Sequence, residues 1–478
     1  MEDDILNIRL DKIKAMEKAG VLPYAYKYDK PLTIKATADA YEEGKRFSTA
    51  GRVTTIRAHG GSMFCDIKDF TGKIQLYFRK NIIGDELFNQ VKEMDIGDII
   101  GVNGEAFKTQ RGEITINALS FTVLAKALRP LPEKWHGLKD LEARYRQRYL
   151  DLIANEKTRE IFLLRSKLIN KMRSFFDERG YLEVETPILH PIPGGAAGRP
   201  FKTRHNIYDI DLFMRIAPEL YLKRLLVGGM DKVYEINKSF RNEGISPRHN
   251  PEFTMLEAYT AYADYNDIIQ LTETLISFLA KELLGTLEIS YKGKTIDLTP
   301  PWRRVSFAQV MKENFGITPQ DEHTSWAKKL KAKGIEVEEG DISRTKLINI
   351  IGDVLEPKED QASNKPTFVI DYYSELCPLA KTRKDNPAIS ERFELYMGGM
   401  EVANAYSELN DPIQQKRRFQ QQLEVEPEGM VDEDYVRALE YGMPPAGGLG
   451  IGIDRLVMIF TGEESIREVI LFPQLKPE

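Results

Sequence analysis

Cysteine and histidine are scarce in this chain, which has two cysteines and six histidines among 478 residues. Cys65 and Cys377 are too few for a disulfide framework and form no CxxC pair, which favours a reducing compartment. The histidines show no spacing typical of a zinc site. No apolar run reaches the length of a membrane span, and the first residues carry no signal or transit pattern. We therefore predict a cytoplasmic protein without a membrane contact.

An excess of one charge is also missing. The chain has 67 Lys and Arg against 73 Asp and Glu, a net charge of −6. This balance argues against a general nucleic-acid coat, so any RNA contact must come from local basic patches. The composition, 42% hydrophobic and 29% charged, is typical of a globular protein with a sizeable core. The length predicts two or three domains.

Residues 232–262 hold the most informative pattern. Alternating apolar and polar residues predict one strand from Val233 to Arg241 and a second from Phe253 to Tyr259, separated by turn residues. Side chains repeat every second residue, so the second strand places four on one face: Phe253, Met255, Glu257 and Tyr259. An aromatic ring, a carboxylate and a phenol on one face suit a flat base and a cation. The alternative is an ordinary exposed hairpin tip.

A second hairpin is predicted around Gly398-Gly399. The two-residue turn sets Tyr396 opposite Glu401 and leaves Glu394 on the same face, one diagonal step away. Two carboxylates placed in this way can flank a Mg²⁺ ion that is bound to phosphate. Three later side chains share a face that is out of phase with Glu401, which predicts a bulge or bend between 401 and 404: Asn404, Tyr406 and Glu408.

Residues 447–460, GGLGIGIDRLVMIF, predict a strand followed by a helix. The alternating glycines Gly448, Gly450 and Gly452 make a thin strand against which a nucleotide can press. Asp454 is expected to cap the helix. Arg455 would add its charge to the positive end of that helix, which suits a polyphosphate. The sequence contains no Walker loop and no GxGxxG motif.

These patterns together resemble a known family. FRNEG, a short loop and RHNPEFTMLE resemble motif 2 of class II aminoacyl-tRNA synthetases, in the form of the lysyl-tRNA synthetase family. The predicted helix from Ile161 to Gly180 and the strand YLEVETPIL resemble motif 1, and residues 447–460 resemble motif 3. The resemblance covers nearly the whole chain. It implies activation of L-lysine with ATP, then transfer of lysine to the 3′ end of tRNA(Lys).

The predicted fold class is α+β. Five strand segments with glycine-containing turns between 48 and 128 predict a small antiparallel barrel, most like an OB-fold. The family implies a class II catalytic domain built on an antiparallel β-sheet flanked by helices. The expected order is an N-terminal helix and lead-in (1–47), an OB-fold anticodon-binding domain (48–128), a linker (129–150) and the catalytic domain (151–478), with a solvated helical insertion at about 302–365.

The resemblance implies a role for each polar residue on the ATP side. Arg241 would hold the α-phosphate and the substrate carboxylate together, while Phe253 and Arg455 enclose the adenine; Arg241 and Arg455 are the expected catalytic residues. Glu243 would read the adenine amino group and His249 would lie near the terminal phosphates. The expected ATP-binding residues are Arg241, Glu243, His249, Phe253, Glu394, Glu401 and Arg455. Glu394 and Glu401 would bind Mg²⁺, with more than one ion per subunit.

The resemblance also implies a lysine site. Glu408 and Tyr259, helped by Glu257, would receive the ε-ammonium group, and Asn404 the carboxylate. The expected lysine-binding residues are Gly195, Glu219, Arg241, Glu257, Tyr259, Asn404, Tyr406 and Glu408, with Gly195 and Glu219 at the α-amino group. A neutral substrate would leave a buried glutamate unpaired, which costs about 3–5 kcal/mol. Ornithine lacks only one methylene, worth about 1–3 kcal/mol.

Several positions are candidate tRNA contacts. Phe64 and Gln75 fall on neighbouring strands of the predicted barrel, with Arg57 before them and Glu113 after. An aromatic ring can stack on a base while the other three read its edges, and the family has its anticodon platform here. Phe64 as a core residue is the alternative. Three sets of basic residues could also contact tRNA. Arg9, Lys12 and Lys14 could instead form a solvated helix face, and Arg144, Arg146 and Arg148 could instead pack between domains. Lys202, Lys223 and Arg248 are candidates for binding the acceptor stem.

Other functions fit less well. Aspartyl- and asparaginyl-tRNA synthetases need an arginine or amide readers in the pocket, whereas Glu219 and Glu408 favour a cationic substrate. The ligase that attaches lysine to an elongation factor lacks the barrel. A non-catalytic RNA-binding or regulatory paralogue is expected to have lost the charged site residues, yet Arg241, Arg455 and both carboxylates of the second hairpin are present. The family also implies a homodimer.

Overall fold

The structure is a computed structural model, which describes residues 2–30, 32–132, 138, 140–196, 198–318, 321, 323–335, 337, 364–425 and 430–477. The chain divides into two compact units, Met1–Arg159 and Glu160–Glu478. The predicted boundary at residue 150 falls inside the first unit. Among the described residues, no helix combines the length and the apolar composition needed to cross a membrane.

A closed five-stranded barrel forms the centre of the first unit, as predicted. The strands follow one another in the order β1-β2-β3-β5-β4. All neighbours are antiparallel except β3 and β5, which run parallel and close the barrel. Alternate side chains from all five strands fill its core. The strands are β1 Arg46–His59, β2 Ser62–Lys68, β3 Lys73–Arg79, β4 Ile99–Lys108 and β5 Ile114–Ala125.

Helices cover parts of this barrel. The N-terminal helix forms as predicted, but its expected basic face is used within the unit. Arg9 is buried and donates to the carbonyl oxygens of Ala127 (2.6 Å) and Ile96 (3.2 Å). For Arg9, neither of the two alternatives left open by the sequence, an RNA contact or a solvated helix face, fits this buried position. The helices are α1 Glu2–Lys18, α2 Ile34–Asp39, α3 Lys80–Lys92, α4 Leu141–Arg146 and α5 Arg148–Ala154.

The basic linker packs rather than presenting its arginines. Arg148 is completely buried, and its Nη1 lies 2.5 Å from the carboxylate of Asp151. Arg144 donates to the same carboxylate at 2.9 Å. One buried aspartate thus holds both arginines, so the packing alternative is right for these two.

The second unit is built on an eight-stranded sheet in the order β14-β15-β16-β17-β18-β11-β10-β6. Its six central strands are antiparallel, as predicted, while each edge strand pairs in parallel with its neighbour. The sheet strands are β6 Leu182–Glu183, β10 Lys232–Phe240, β11 Glu252–Ala261, β14 Arg303–Ser306, β15 Thr367–Tyr373, β16 Ile389–Met397, β17 Met400–Ser407 and β18 Ala446–Gly452. A small sheet of β7 Leu189–His190, β8 Lys202–His205 and β9 Ile210–Met214 and a pair of β12 Glu288–Tyr291 and β13 Lys294–Asp297 lie beside it.

Helices and sheet share one apolar core. Along the central strands, side chains such as Leu256, Ala403, Leu449 and Ile451 belong to this core. The polar residues that alternate with them point to the opposite face. The helices are α6 Glu156–Asp177, α7 Glu219–Val227, α8 Tyr265–Leu284, α9 Phe307–Phe315, α10 His323–Ala332, α11 Pro412–Val425, α12 Glu433–Glu440, α13 Ile453–Thr461 and α14 Ile466–Val469.

Two predicted segments differ from the structure. The strand expected to begin at Tyr181 and to stop at Pro187 is shorter, because only β6 Leu182–Glu183 pairs with the main sheet, and β7 Leu189–His190 follows the proline. The insertion expected from about 302 begins instead with β14, an edge strand of the main sheet. Its helices α9 and α10 bury an apolar face that includes Phe307 and Trp326, so they are not simply solvated. Residues 338–363 of this segment lie outside the described residues.

Candidate active site

Three neighbouring strands, β11, β18 and β17, carry six of the fourteen residues predicted to bind ATP or lysine, with the glycine strand in the middle. Gly450 pairs with Glu257 of β11 on one side and with Asn404 of β17 on the other. Gly448 likewise lies between Tyr259 and Tyr406. Paired residues on neighbouring strands point to the same face. The glycines therefore form the floor of a groove whose walls are polar.

Gly448 serves a different purpose from the one expected. A Cβ atom at this position would overlap Oε1 of Glu408 and lie 2.7 Å from Cε1 of Tyr259. Protein side chains thus occupy the space that a nucleotide was expected to use, and the prediction is wrong at this glycine. Gly450 and Gly452 do line an open cleft.

That cleft, of about 230 Å³, contains six of the seven residues expected to bind ATP: Arg241, Glu243, His249, Phe253, Glu401 and Arg455. The guanidinium carbon of Arg241 lies 5.1 Å from the centre of the Phe253 ring, which suits a cation–π contact. Nε of Arg241 is buried and has no hydrogen-bond partner among the described residues. Burial lowers the pKa of Arg241, and the negative charges of Glu243 and Glu401 oppose that shift. A buried, unsatisfied donor of this kind suits an anion.

Arg455 lies in the first turn of α13, as predicted. Its Nη1 donates to the carbonyl oxygen of Glu401 at 2.7 Å, and Nη2 is 3.2 Å from Nε2 of His249. The neighbouring Asp454 does not cap the helix, because Gly452 occupies the N-cap position. The buried Asp454 carboxylate instead accepts from the Thr254 amide (2.7 Å) and from Arg165 (2.6 Å). Asp454 thus joins the glycine-strand helix to β11.

The hairpin of β16 and β17 forms as predicted. Tyr396 pairs with Glu401, and the register shifts by one residue between Leu395 and Tyr396, which is the expected bulge. Glu394 does not line the open cleft. Its carboxylate accepts from Tyr372 (2.7 Å), Tyr396 (2.6 Å) and Arg392 (2.6 Å).

Arg392 is a residue that the sequence reasoning missed. Its Nε donates to Oδ1 of Asn404 at 3.1 Å, while its Nη2 binds Glu394. Because the Asn404 oxygen is engaged, its amide NH₂ remains to donate towards the groove. The sequence signal for this role was the spacing of Arg392, which lies two residues before Glu394, so that both side chains share one face of β16. Arg392 thus connects the expected metal-binding carboxylate with the expected carboxylate reader.

A narrower pocket of about 90 Å³ adjoins the cleft. All eight residues expected to bind lysine line it: Gly195, Glu219, Arg241, Glu257, Tyr259, Asn404, Tyr406 and Glu408. Its three glutamates are buried, with exposures of 5% for Glu219, 5% for Glu257 and 1% for Glu408. The Tyr406 hydroxyl donates to Glu219 at 2.5 Å, and the Tyr259 hydroxyl donates to Glu257 at 3.1 Å. Arg241 lines both the pocket and the cleft.

The glutamates differ in how their charge is balanced. Burial and the nearby Glu219 raise the pKa of Glu257 to about 8. Burial also raises the pKa of Glu408, which the ammonium group of Lys223 holds down. A cation that enters the pocket favours the ionised carboxylates, so its binding releases protons.

Lys223 is not placed where the acceptor-stem prediction requires. It is completely buried and lies 2.6 Å from Oε1 of Glu219, with Glu408 in contact on the other side. The prediction that Lys223 binds tRNA is therefore wrong. Lys202 is exposed, and Arg248 lines the open cleft. The sequence contained one signal for this ion pair: Lys223 follows Glu219 by four residues on a helix, a spacing at which the two side chains are neighbours.

The four residues expected to bind the anticodon cluster on the barrel. Arg57 pairs with Phe64 across β1 and β2. The half-buried Phe64 stacks on Tyr77 at 4.3 Å between ring centroids, and sequence reasoning had missed this second ring. Gln75 is buried and donates to Glu113 at 3.1 Å. Tyr77 alternates with Gln75 on β3, and this pattern was the available signal.

Known proteins match both units. Residues 140–476 match the family described as tRNA synthetases class II (D, K and N), and residues 47–124 match the OB-fold nucleic acid binding domain. A protein from Carboxydothermus hydrogenoformans named lysine–tRNA ligase is 53% identical, over 99% of this chain and 98% of its own length. Proteins of the same name from Pelotomaculum thermopropionicum (52%; 99% and 95%) and Moorella thermoacetica (49%; 100% and 99%) are similarly related.

Proposed function

Because the chain belongs to the class II tRNA synthetases of the D, K and N group, we propose that it attaches L-lysine to tRNA(Lys). The reaction joins lysine to AMP from ATP, releases pyrophosphate and then transfers lysine to the 3′ end of the tRNA. One observation carries the choice of substrate: three buried glutamates line a single pocket beside a cleft that contains three arginines. An aspartate side chain would add a further negative charge beside them, and an asparagine amide could donate to them but would leave their charge unmatched.

Positioning and electrostatics supply the chemistry. The lysine carboxylate is already an anion and must be held in line with the α-phosphorus of ATP. Arg241 borders both spaces, so it would hold the carboxylate and the α-phosphate together as charge develops. Arg455 and Phe253 would enclose the adenine, with Glu243 on its amino group and His249 at the terminal phosphates.

The lysine would lie with its two ammonium groups on glutamates. Glu219 and the backbone at Gly195 would receive the α-ammonium, and Glu408, Tyr259 and Glu257 the ε-ammonium. The amide of Asn404, oriented by Arg392, would donate to the carboxylate. Tyr406 would fix Glu219 through its hydroxyl.

The donor set near the hairpin turn fits Mg²⁺. Glu401 has a side chain that is 37% exposed, and Glu394 accepts three hydrogen bonds, which leaves about one of its roughly four acceptor directions. No group of three or more such ligands occurs in the described part of the chain, so phosphate oxygens and water would complete the shell. Bound Mg²⁺ would neutralise phosphate charge. We propose more than one ion per subunit.

The deciding experiment is ATP–pyrophosphate exchange with each standard amino acid in turn, with Mg²⁺ and without tRNA. Lysine alone should support exchange. Exchange with another amino acid would overturn the lysine assignment while keeping the class of reaction. No exchange with any of them would favour a non-catalytic paralogue.

The barrel is proposed to bind the anticodon, with Phe64 stacked on a base and Arg57, Gln75 and Glu113 reading edges. Phe64→Ala should raise the KM for tRNA(Lys) about tenfold to a hundredfold, since stacking is worth about 1–3 kcal/mol per base. Exchange without tRNA should stay unchanged. Tyr26→Ala, at a side chain that is 95% exposed, is the control. An equal loss in both assays would contradict a role in tRNA binding.

We further propose that the chain acts as a homodimer in the cytoplasm. Membership of the class II family supports the dimer, and two buried free cysteines suit a reducing compartment. The mass of the chain in solution, measured by light scattering, tests the dimer.

A further inference from the structure

A buried cation contacts two of the glutamates that line the lysine pocket. Lys223 follows Glu219 by one helical turn on α7, so both side chains point the same way. Its ammonium group is 2.6 Å from Oε1 of Glu219 and also contacts the carboxylate of Glu408, which follows β17. Both partners, and Lys223 itself, are buried. A single ammonium therefore links the two glutamates that the proposed function assigns to opposite ends of the substrate.

Two phenols belong to the remaining surroundings of Lys223 that the structure describes. Its Nζ lies 5.3 Å from the centre of the Tyr406 ring, and the buried Tyr435 on α12 also acts on its charge. Glu257 on β11 is the third carboxylate of the pocket and hydrogen-bonds to Tyr259. Oε1 of Glu408 is buried and has no hydrogen-bond partner among the described residues. This oxygen remains for a ligand.

The charges explain why the pocket needs an internal cation. Three ionised glutamates and one lysine leave two negative charges, and the substrate lysine has two ammonium groups. Without Lys223, three carboxylates would surround two ammonium groups, and one would remain buried without a counter-charge. The carboxylate of the substrate is left out of this count of charges, because Arg241, which lines the pocket, would pair with it.

We propose that Lys223 is a positioning residue that holds Glu219 and Glu408 together and sets the pocket's charge to match the two ammonium groups of lysine. This inference rests on the proposed function. Lys223 touches the glutamates and acts through them.

The test compares Lys223→Met and Lys223→Arg in lysine-dependent ATP–pyrophosphate exchange. The Met variant removes the charge at similar length. It should raise the KM for lysine about tenfold to a hundredfold, since each charged hydrogen bond contributes about 1.5–3 kcal/mol. The KM for ATP should not change. Lys281→Met, at an exposed lysine on α8, is the matched control.

The pH profile separates positioning from simple structural support. Without the ammonium, neighbouring carboxylates repel and hold protons to higher pH. The KM defect of the Met variant should therefore shrink as the pH rises. The Arg variant keeps the charge but spreads the glutamates, so it should raise the KM for lysine and retain the native pH profile.

Either variant can overturn the proposal. Should Lys223→Met fail to fold, as judged by circular dichroism, the Arg variant decides: an unchanged KM for lysine contradicts a positioning role. A defect in the Met variant that is equal at every pH also contradicts it. Lysine-dependent exchange by the native chain is measured first. If the native chain shows no exchange, the result contradicts the proposed function and not the role of Lys223.

Discussion

The two halves of the active site balance charge in opposite ways. The open cleft has arginines, of which Arg241 keeps a buried Nε unpaired, and its walls remain partly exposed. The adjoining pocket has three buried glutamates, and a single buried lysine contacts two of them. Each half thus supplies groups whose charge is opposite to that of its proposed ligand. Both halves also contain counter-charges, Glu243 and Glu401 in the cleft and Lys223 at the pocket, but of these three only Lys223 is completely buried.

This difference reflects what each half must discriminate. A polyphosphate has high charge and is recognised by cations that also face water, so an open cleft is sufficient. A small amino acid differs from its competitors by one side chain, and discrimination then depends on buried groups that a wrong substrate leaves unpaired. Burial of several like charges is costly unless part of the charge is matched within the protein. The contrast makes testable claims about each half and about the residue they share.

Arg241 is the residue that lines both halves, and its replacement should have the largest effect. Arg241→Gln should lower kcat/KM for exchange about a thousandfold, because one preorganised donor to developing charge is worth about a hundredfold to a thousandfold. Steady-state exchange kinetics measure this loss. Arg437→Gln, at an exposed arginine on α12, should behave as the native chain. An effect on the KM of only one substrate would mean that Arg241 serves one half.

Glu408→Gln tests the pocket alone. The KM for lysine should rise about a hundredfold, because a charged hydrogen bond worth about 1.5–3 kcal/mol becomes a neutral one. The KM for ATP should stay constant. Glu440→Gln, at an exposed carboxylate on α12, is the control. A parallel rise in the KM for ATP would show that the halves are not independent.

Phe253→Leu tests the open cleft alone. The KM for ATP should rise about tenfold, because stacking against a base contributes about 1–3 kcal/mol and leucine keeps part of the apolar contact. The KM for lysine serves as the internal control. Unchanged ATP kinetics would remove Phe253 from the adenine site.

The pH dependence should be the smallest effect and should belong to the pocket. Burial raises the pKa of Glu257 to about 8, so at lower pH this group is protonated in the free protein. Bound lysine favours the ionised form of Glu257. The affinity of the pocket for lysine should therefore increase as the pH rises through about 8. The KM for lysine should fall about fivefold between about pH 7 and pH 8, as one linked proton requires.

Glu257→Gln should reduce the slope of the profile between these pH values, with Glu408, whose pKa burial also raises, responsible for the slope that is left. The KM for ATP should be independent of pH over the same range. A KM for lysine that rises with pH would contradict the assignment of a raised pKa to a group that contacts the substrate.

Local patterns determined the strands and turns that carry the site. Period-two alternation predicted β10 and β11, and the two glycines at 398–399 predicted the hairpin, the pairing of Tyr396 with Glu401 and the bulge that follows. These features depend on neighbouring residues, so they can be read from a single sequence. The barrel was predictable for the same reason. The assignment of each site residue came from resemblance, because spacing alone does not specify a ligand.

Only the tertiary structure decided which charged groups meet. Asp454 looked like a helix cap, yet it accepts from the Thr254 amide 200 residues earlier. Lys223 looked like a surface cation, yet it lies between Glu219 and Glu408 because α7 packs beside the end of β17. Arg392 donates to Asn404 on the neighbouring strand, and Gly448 leaves room for the side chains of Glu408 and Tyr259. A charge gains its role from partners that are distant in sequence, and folding brings them together in a dry interior where their pairing matters most.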